Sequence, residues 1–105
     1  MNILNQIKAI GADGSETLTP REMGGNADLK AIKRLLGDTM FLQGGFDQLH
    51  GFVNCTKEET KSMVYQCFEK AGSSGGYIIC PSDHFFDADL ENVKAFAEAA
   101  KECRY

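Results

Sequence analysis

The chain has 105 residues, 43% apolar and 25% charged, which is the composition of one soluble globular domain and too little for two. A formal net charge of -4 argues against nucleic acid or an anionic membrane surface as partner. No apolar run approaches the roughly 20 residues that span a bilayer, and the polar–apolar start over residues 1–8 lacks a signal-peptide core, so a cytoplasmic location is expected.

Ile3, Leu4, Ile7 and Ile10 stand at helical spacing, which predicts a helix over residues 2–10 closed by Gly11. Residues 12–18 read as a short strand weakened by Gly14 and Ser15, and residues 19–25 as a loop. Asn26 is placed to cap the next helix, with Asp28 in its first turn and Leu29, Ile32, Leu35 and Leu36 as its apolar stripe. A second strand follows over residues 39–42, running into Gln43-Gly44-Gly45-Phe46-Asp47. Residues 48–55 read as a longer loop. Thr56-Lys57-Glu58-Glu59 is a capping box that opens a helix with Thr60, Val64, Cys67, Phe68 and Ala71 on one face, ended by Gly72.

Ser73-Ser74-Gly75-Gly76 has the composition of a phosphate loop but precedes a strand, where a tight turn is expected instead. The third strand, residues 77–80, is broken by Pro81. A last helix opens near Asp89 with Val93, Phe96, Ala97 and Ala100 on its buried side. Helix and strand alternate throughout, which implies parallel strands joined by crossovers in a single α/β domain over residues 1–105: one helix, then three β/α units.

Ligands in such folds bind outside the carboxyl ends of the strands. Asp83 and His84 follow the third strand there and can serve as an acid/base pair, metal ligands or ligand anchors; Asp83 can equally satisfy backbone N–H groups after Pro81. Gln43, Gly44 and Gly45 follow the second strand, where glycines either admit a ligand to the backbone or relieve crowding. Asp47 suits a ligand hydrogen bond or a turn cap. Glu16 is a carboxylate inside a strand pattern, and so needs a ligand, a partner or water. His50 has no partner that the sequence reveals. The four cysteines form no C-x-x-C pair, and Cys67 and Cys103 sit at apolar helical positions that mark them as core.

The segments Gly11 to Pro20, Asp28 to Asp38, Leu42 to Asp47, Thr56 to Thr60, Gly75 to His84 and Leu90 to Val93, in this order and spacing, resemble the C-terminal part of the uroporphyrinogen decarboxylase superfamily, which includes corrinoid-dependent methyltransferases. The resemblance covers essentially the whole chain. It implies the last three units of a (β/α)8 barrel, a fold that typically needs about 250 residues. It further implies Glu16, Gln43 to Asp47, and Asp83-His84 on one rim, and a tetrapyrrole ligand: a porphyrinogen that loses carboxyl groups, or a corrinoid that passes on a methyl group.

Two departures qualify the resemblance. The decarboxylases carry Gly-His-Gly after the last strand, where this chain has Ser82-Asp83-His84. Zinc-dependent methyltransferases place a cysteine there, and its nearest counterpart is Asp83, with Cys80 three residues early. Corrinoid or zinc is thus a cofactor of a full-length parent at most, with Asp83 and His84 the candidate zinc ligands. Three units cannot close a barrel, so the isolated chain is expected to be inactive as a catalyst. The alternative is a non-catalytic module that assembles with the remaining barrel segment, or with itself, through open sheet edges.

Overall fold

Leu29, Ile32 and Leu36 recur at helical spacing, and all three are buried. In the computed structural model, which describes residues 3–105, they belong to α2 (Leu29–Leu36). Before it come α1 (Leu4–Ile10), β1 (Gly14–Ser15) and a 3-10 turn (Arg21–Met23). After it come β2 (Phe41–Gln43), α3 (Gln48–Gly51), α4 (Lys57–Ala71), β3 (Tyr77–Ile78) and α5 (Leu90–Glu102). The expected start of the first helix at residue 2 lies outside the described residues. None of these helices is long and apolar enough to cross a membrane.

The strands lie in the order β1-β2-β3 and both pairings are parallel, with Ser15 beside Leu42 and Leu42 beside Tyr77. The expected α/β class is therefore present, and its open three-stranded sheet is compatible with part of a (β/α)8 barrel. Alternation along β2 sends its side chains to opposite faces. Leu42 is fully buried among the helices with Leu36, Val64, Ala71 and Ala99. Phe41, one residue earlier, is 43% exposed, and Ile78 on β3 is 49% exposed. Parallel sheets are ordinarily covered on both faces; helices cover this one on a single face. On the open face the Phe41 ring lies across Gly14, where an added Cβ would come within 2.3 Å of ring atoms.

Several local expectations shift. Asp28, not Asn26, caps α2, because its carboxylate accepts from the N–H of Ala31. The second strand starts at Phe41 rather than Thr39, since the N–H groups of Thr39 and Met40 are drawn back to the carbonyl of Leu36. The first and third strands are shorter than expected, two residues each. Residues 48–51, expected as loop, make a helical turn capped by Asp47, whose Oδ1 accepts from the N–H of His50. On α5 the buried positions are Asn92, Ala95 and Ala99, with Val93, Phe96 and Ala100 partly buried and Ala97 exposed. Asn92 fixes that rotation by donating its side-chain N–H to the carbonyl of Cys55 at 2.8 Å.

The core ends in an aromatic cluster just past β2. Phe46 meets Phe96 edge-on at 4.7 Å between centroids and Phe52 at 5.1 Å, and Phe52 meets Phe85 at 4.9 Å. One side of the cluster thus reaches from α5 to the loop that carries Asp83 and His84.

Candidate functional site

The three strand ends converge on Ser82. Its hydroxyl accepts from the N–H of Gly45, at the exit of β2, and donates to the carbonyl of Leu18, beyond β1. Its own N–H is shared between the carbonyl of Phe46 and Oε1 of Gln48. Gln48 completes the link by donating from Nε2 to the carbonyl of His84. Both Ser82 and Gln48 are almost fully buried. Sequence reasoning missed these two residues. The available signal was that each is a small or uncharged polar residue flanking a proposed site residue, where a buried polar side chain must find partners.

Beyond this knot lies a hollow of about 450 Å³ lined by Glu16, Thr17, Gln43, Cys80, Asp83, His84 and Phe85, among others. The structure therefore brings Glu16, Gln43, Asp83 and His84 around one space. Asp83 Oδ1 accepts from the backbone N–H of His84 at 2.7 Å and lies 3.2 Å from its Nδ1. Those two contacts, the backbone one foremost, hold the Asp83 carboxyl below its ordinary value. Both side chains are largely exposed, His84 at 91%. Chemically the pair offers an ionised carboxylate and an imidazole whose Nε2 faces no described partner. As metal ligands they supply two donors. Among the described residues no group of three or more His, Cys, Asp or Glu side chains could hold a metal ion, so these residues alone do not fit a zinc site.

Gly44 and Gly45 have φ of 114° and 88°, in the region that favours glycine. A Cβ at Gly44 would lie 3.0 Å from the backbone nitrogen of Leu18, and one at Gly45 2.9 Å from the Leu29 side chain. At both positions the close neighbour is the protein itself. Gly44 also accepts the Tyr77 hydroxyl at 2.7 Å through its carbonyl.

Asp47 is not on the rim hollow. It is buried, it caps α3, and its Oδ2 lies 2.6 Å from Nδ1 of His50. With Gly45 it lines a separate cleft of about 540 Å³, together with Phe46, His50, Met63, Cys67 and Lys70. The expected gathering of Glu16, Asp47 and Asp83 at one edge is thus divided between two concavities with no lining residue in common. His50, for which the sequence reveals no partner, is paired with Asp47.

Cys67 at the back of this cleft is buried as expected, and burial pushes its thiol from 9.0 up to about 11, against the opposing influence of Lys70. Two pH units correspond to about a hundredfold less thiolate, the reactive form, at neutral pH. Alkylation by iodoacetamide at pH 8, followed peptide by peptide by mass spectrometry, is therefore expected to be about a hundredfold slower at Cys67 than for a free thiol of ordinary pKa. A Cys67 rate matching that of a model thiol would refute the burial. Because the folded value lies above the ordinary one, the same burial favours folding below pH 9, and that contribution is lost as pH rises through about 11.

Comparison with known families adds one match. A family model described as Uroporphyrinogen decarboxylase (URO-D) matches residues 1–103. No curated protein matches the chain.

Proposed function

Since the chain belongs to the uroporphyrinogen decarboxylase family, we propose that it is the C-terminal barrel segment of an enzyme acting on a tetrapyrrole, with Glu16, Gln43, Asp83 and His84 on the ligand-facing rim. The observation that carries this reading is the hollow itself. It gathers these four side chains at the carboxyl ends of parallel strands, where barrel enzymes place their chemistry.

Among the described residues, the hollow contains two carboxylates and is lined by no lysine or arginine. Such a surface repels the carboxylate arms of a porphyrinogen and accepts hydrogen bonds from its pyrrole N–H groups. Glu16 and Asp83 are the acceptors in this scheme, and His84 is the proton-carrying group beside them. Decarboxylation of a porphyrinogen is the first reading, and methyl transfer from a corrinoid is the specific alternative. Any zinc site used in the latter would need donors beyond Asp83 and His84.

In this scheme the isolated chain binds without turning over, because three strands leave the barrel wall incomplete. Titration of the chain with uroporphyrin and, separately, with cobalamin is the test, read by NMR at the amides of residues 16, 43, 83 and 84. A saturable shift with one of them is expected, weakened roughly tenfold in a Glu16→Gln/Asp83→Asn double variant. Absence of saturable shifts with both ligands would remove the tetrapyrrole reading.

A second reading is favoured by the open face: a module completed by another chain. Phe41 and Ile78 are the exposed apolar side chains on that face, and β1 and β3 are unpaired along their outer edges among the described residues.

A further inference from the structure

The cleft that holds Asp47 and His50 carries features unrelated to the rim. Both oxygens of the Asp47 carboxylate are engaged by His50, Oδ1 by its backbone N–H at 3.0 Å and Oδ2 by its Nδ1 at 2.6 Å. A carboxylate in contact with Nδ1 places the imidazole proton there in the neutral ring, which leaves Nε2 as a hydrogen-bond acceptor. The Asp47 side chain is 8% exposed and the His50 side chain 62% exposed, so a buried anchor holds an accessible ring. No described residue bonds Nε2 of His50.

The same cleft is lined by Lys70, an exposed side chain that forms no ion pair with a described residue. Pro20 and Met63, both half-buried, give it an apolar wall. The charged or titratable groups lining the cleft around His50 are Asp47, Glu22, Cys67 and Lys70. Asp47 is consumed by His50, the Cys67 thiol is protonated at neutral pH, and Glu22 disfavours a second negative charge on any ligand.

We propose that this cleft is a second binding site, independent of the rim, for a small monocarboxylic acid with an apolar body and a hydroxyl group. Lys70 pairs with the carboxylate, Nε2 of His50 accepts from the hydroxyl, and the apolar wall covers the body between them. Each element of this ligand answers one capacity of the cleft: an exposed cation, an imidazole Nε2 with no described partner, and the half-buried apolar surface of Pro20 and Met63. Two negative groups would meet Glu22, and a ligand without a hydroxyl would leave Nε2 unused.

The test uses the full chain with 4-hydroxyphenylacetate as probe and phenylacetate as its hydroxyl-free partner, followed by NMR. Saturable shifts are expected at His50, Cys67 and Lys70, with residues 83 and 84 unmoved. Loss of the probe's hydroxyl should weaken binding about threefold to tenfold, the range of one net hydrogen bond. In His50→Phe, which keeps the backbone N–H to Asp47, that difference should vanish, since the cycle isolates the hydroxyl–imidazole contact. Lys70→Gln should weaken both ligands by about fivefold or more. The proposal is overturned by an undiminished hydroxyl effect in His50→Phe, by unaltered affinities in Lys70→Gln, by shifts at residues 83 and 84 alone, or by no saturation up to about 20 mM. None of these results depends on whether the rim binds a tetrapyrrole.

Discussion

Replacement of Phe46 by alanine is expected to destabilise the chain by about 3–5 kcal/mol, the usual range for a buried phenylalanine. Phe46 is fully buried, and its ring contacts Phe52 and Phe96. Its backbone matters as well: the N–H reaches the carbonyl of Cys80, and the carbonyl accepts from Ser82, which continues the β2–β3 pairing past the named strands. Alanine keeps that backbone path and removes the ring, so the loss reports packing. A domain of this size has about 5–15 kcal/mol in total, so the variant should sit close to unfolding. Urea denaturation measures the difference through the midpoint at constant slope. Phe41→Ala is the control. Its ring lies on the open sheet face, 43% exposed, and its removal should cost well under half as much. Equal losses for the two variants would mean that the face bearing Phe41 is covered in solution, and the one-sided sheet would have to be abandoned.

The contrast between these two phenylalanines also marks how far the sequence can be read. Element type was legible wherever a period was long enough to be unambiguous: the α2 stripe of Leu29, Ile32 and Leu36, the Thr56 cap, and the helix opened by Asp89 all form where the pattern puts them. Parallel pairing followed from the alternation of helix and strand. Which face of β2 would be covered did not, because Phe41 and Leu42 are both apolar and adjacent, and only the third dimension separates a residue against helices from one against an unfilled interior. Asp47 illustrates the same limit at the site. Ligand contact and turn cap were equally compatible with its position in the chain. Its burial and its two bonds to His50 are tertiary facts, and they turn it away from the hollow that holds Glu16 and Asp83. Helix boundaries misread by a residue or two, as at Asn26 and Asp28, reflect competition between neighbouring capping side chains rather than a wrong period.

Ser82→Ala is the change with the largest expected consequence for the rim. The hydroxyl is the acceptor for the Gly45 N–H at 3.1 Å and the donor to the Leu18 carbonyl at 3.3 Å, in surroundings that leave the residue 2% exposed. Alanine fills almost the same volume, so no cavity forms; what changes is that two backbone groups from two different strand exits lose a partner where water has little access. Each stranded group costs about 1–3 kcal/mol. The loss cannot be repaired locally, because Gly44 and Gly45 are fixed in left-handed backbone between the Leu18 backbone and the Leu29 side chain. The exits of β1, β2 and β3 should therefore loosen relative to one another while the helical core, anchored elsewhere, stays formed. Asp83 and His84 follow Ser82 directly and inherit its position, so their geometry against Glu16 and Gln43 should broaden. Native-state hydrogen exchange at Gly45 and amide line widths at residues 83 and 84 read this out, with the Val64 amide in α4 as the reference. Faster exchange at Gly45 with Val64 unchanged is the expected pattern. Unchanged exchange at Gly45 would mean that the Ser82 hydroxyl does not join the strand ends, and a uniform rise at both amides would mean that it supports global stability rather than the rim.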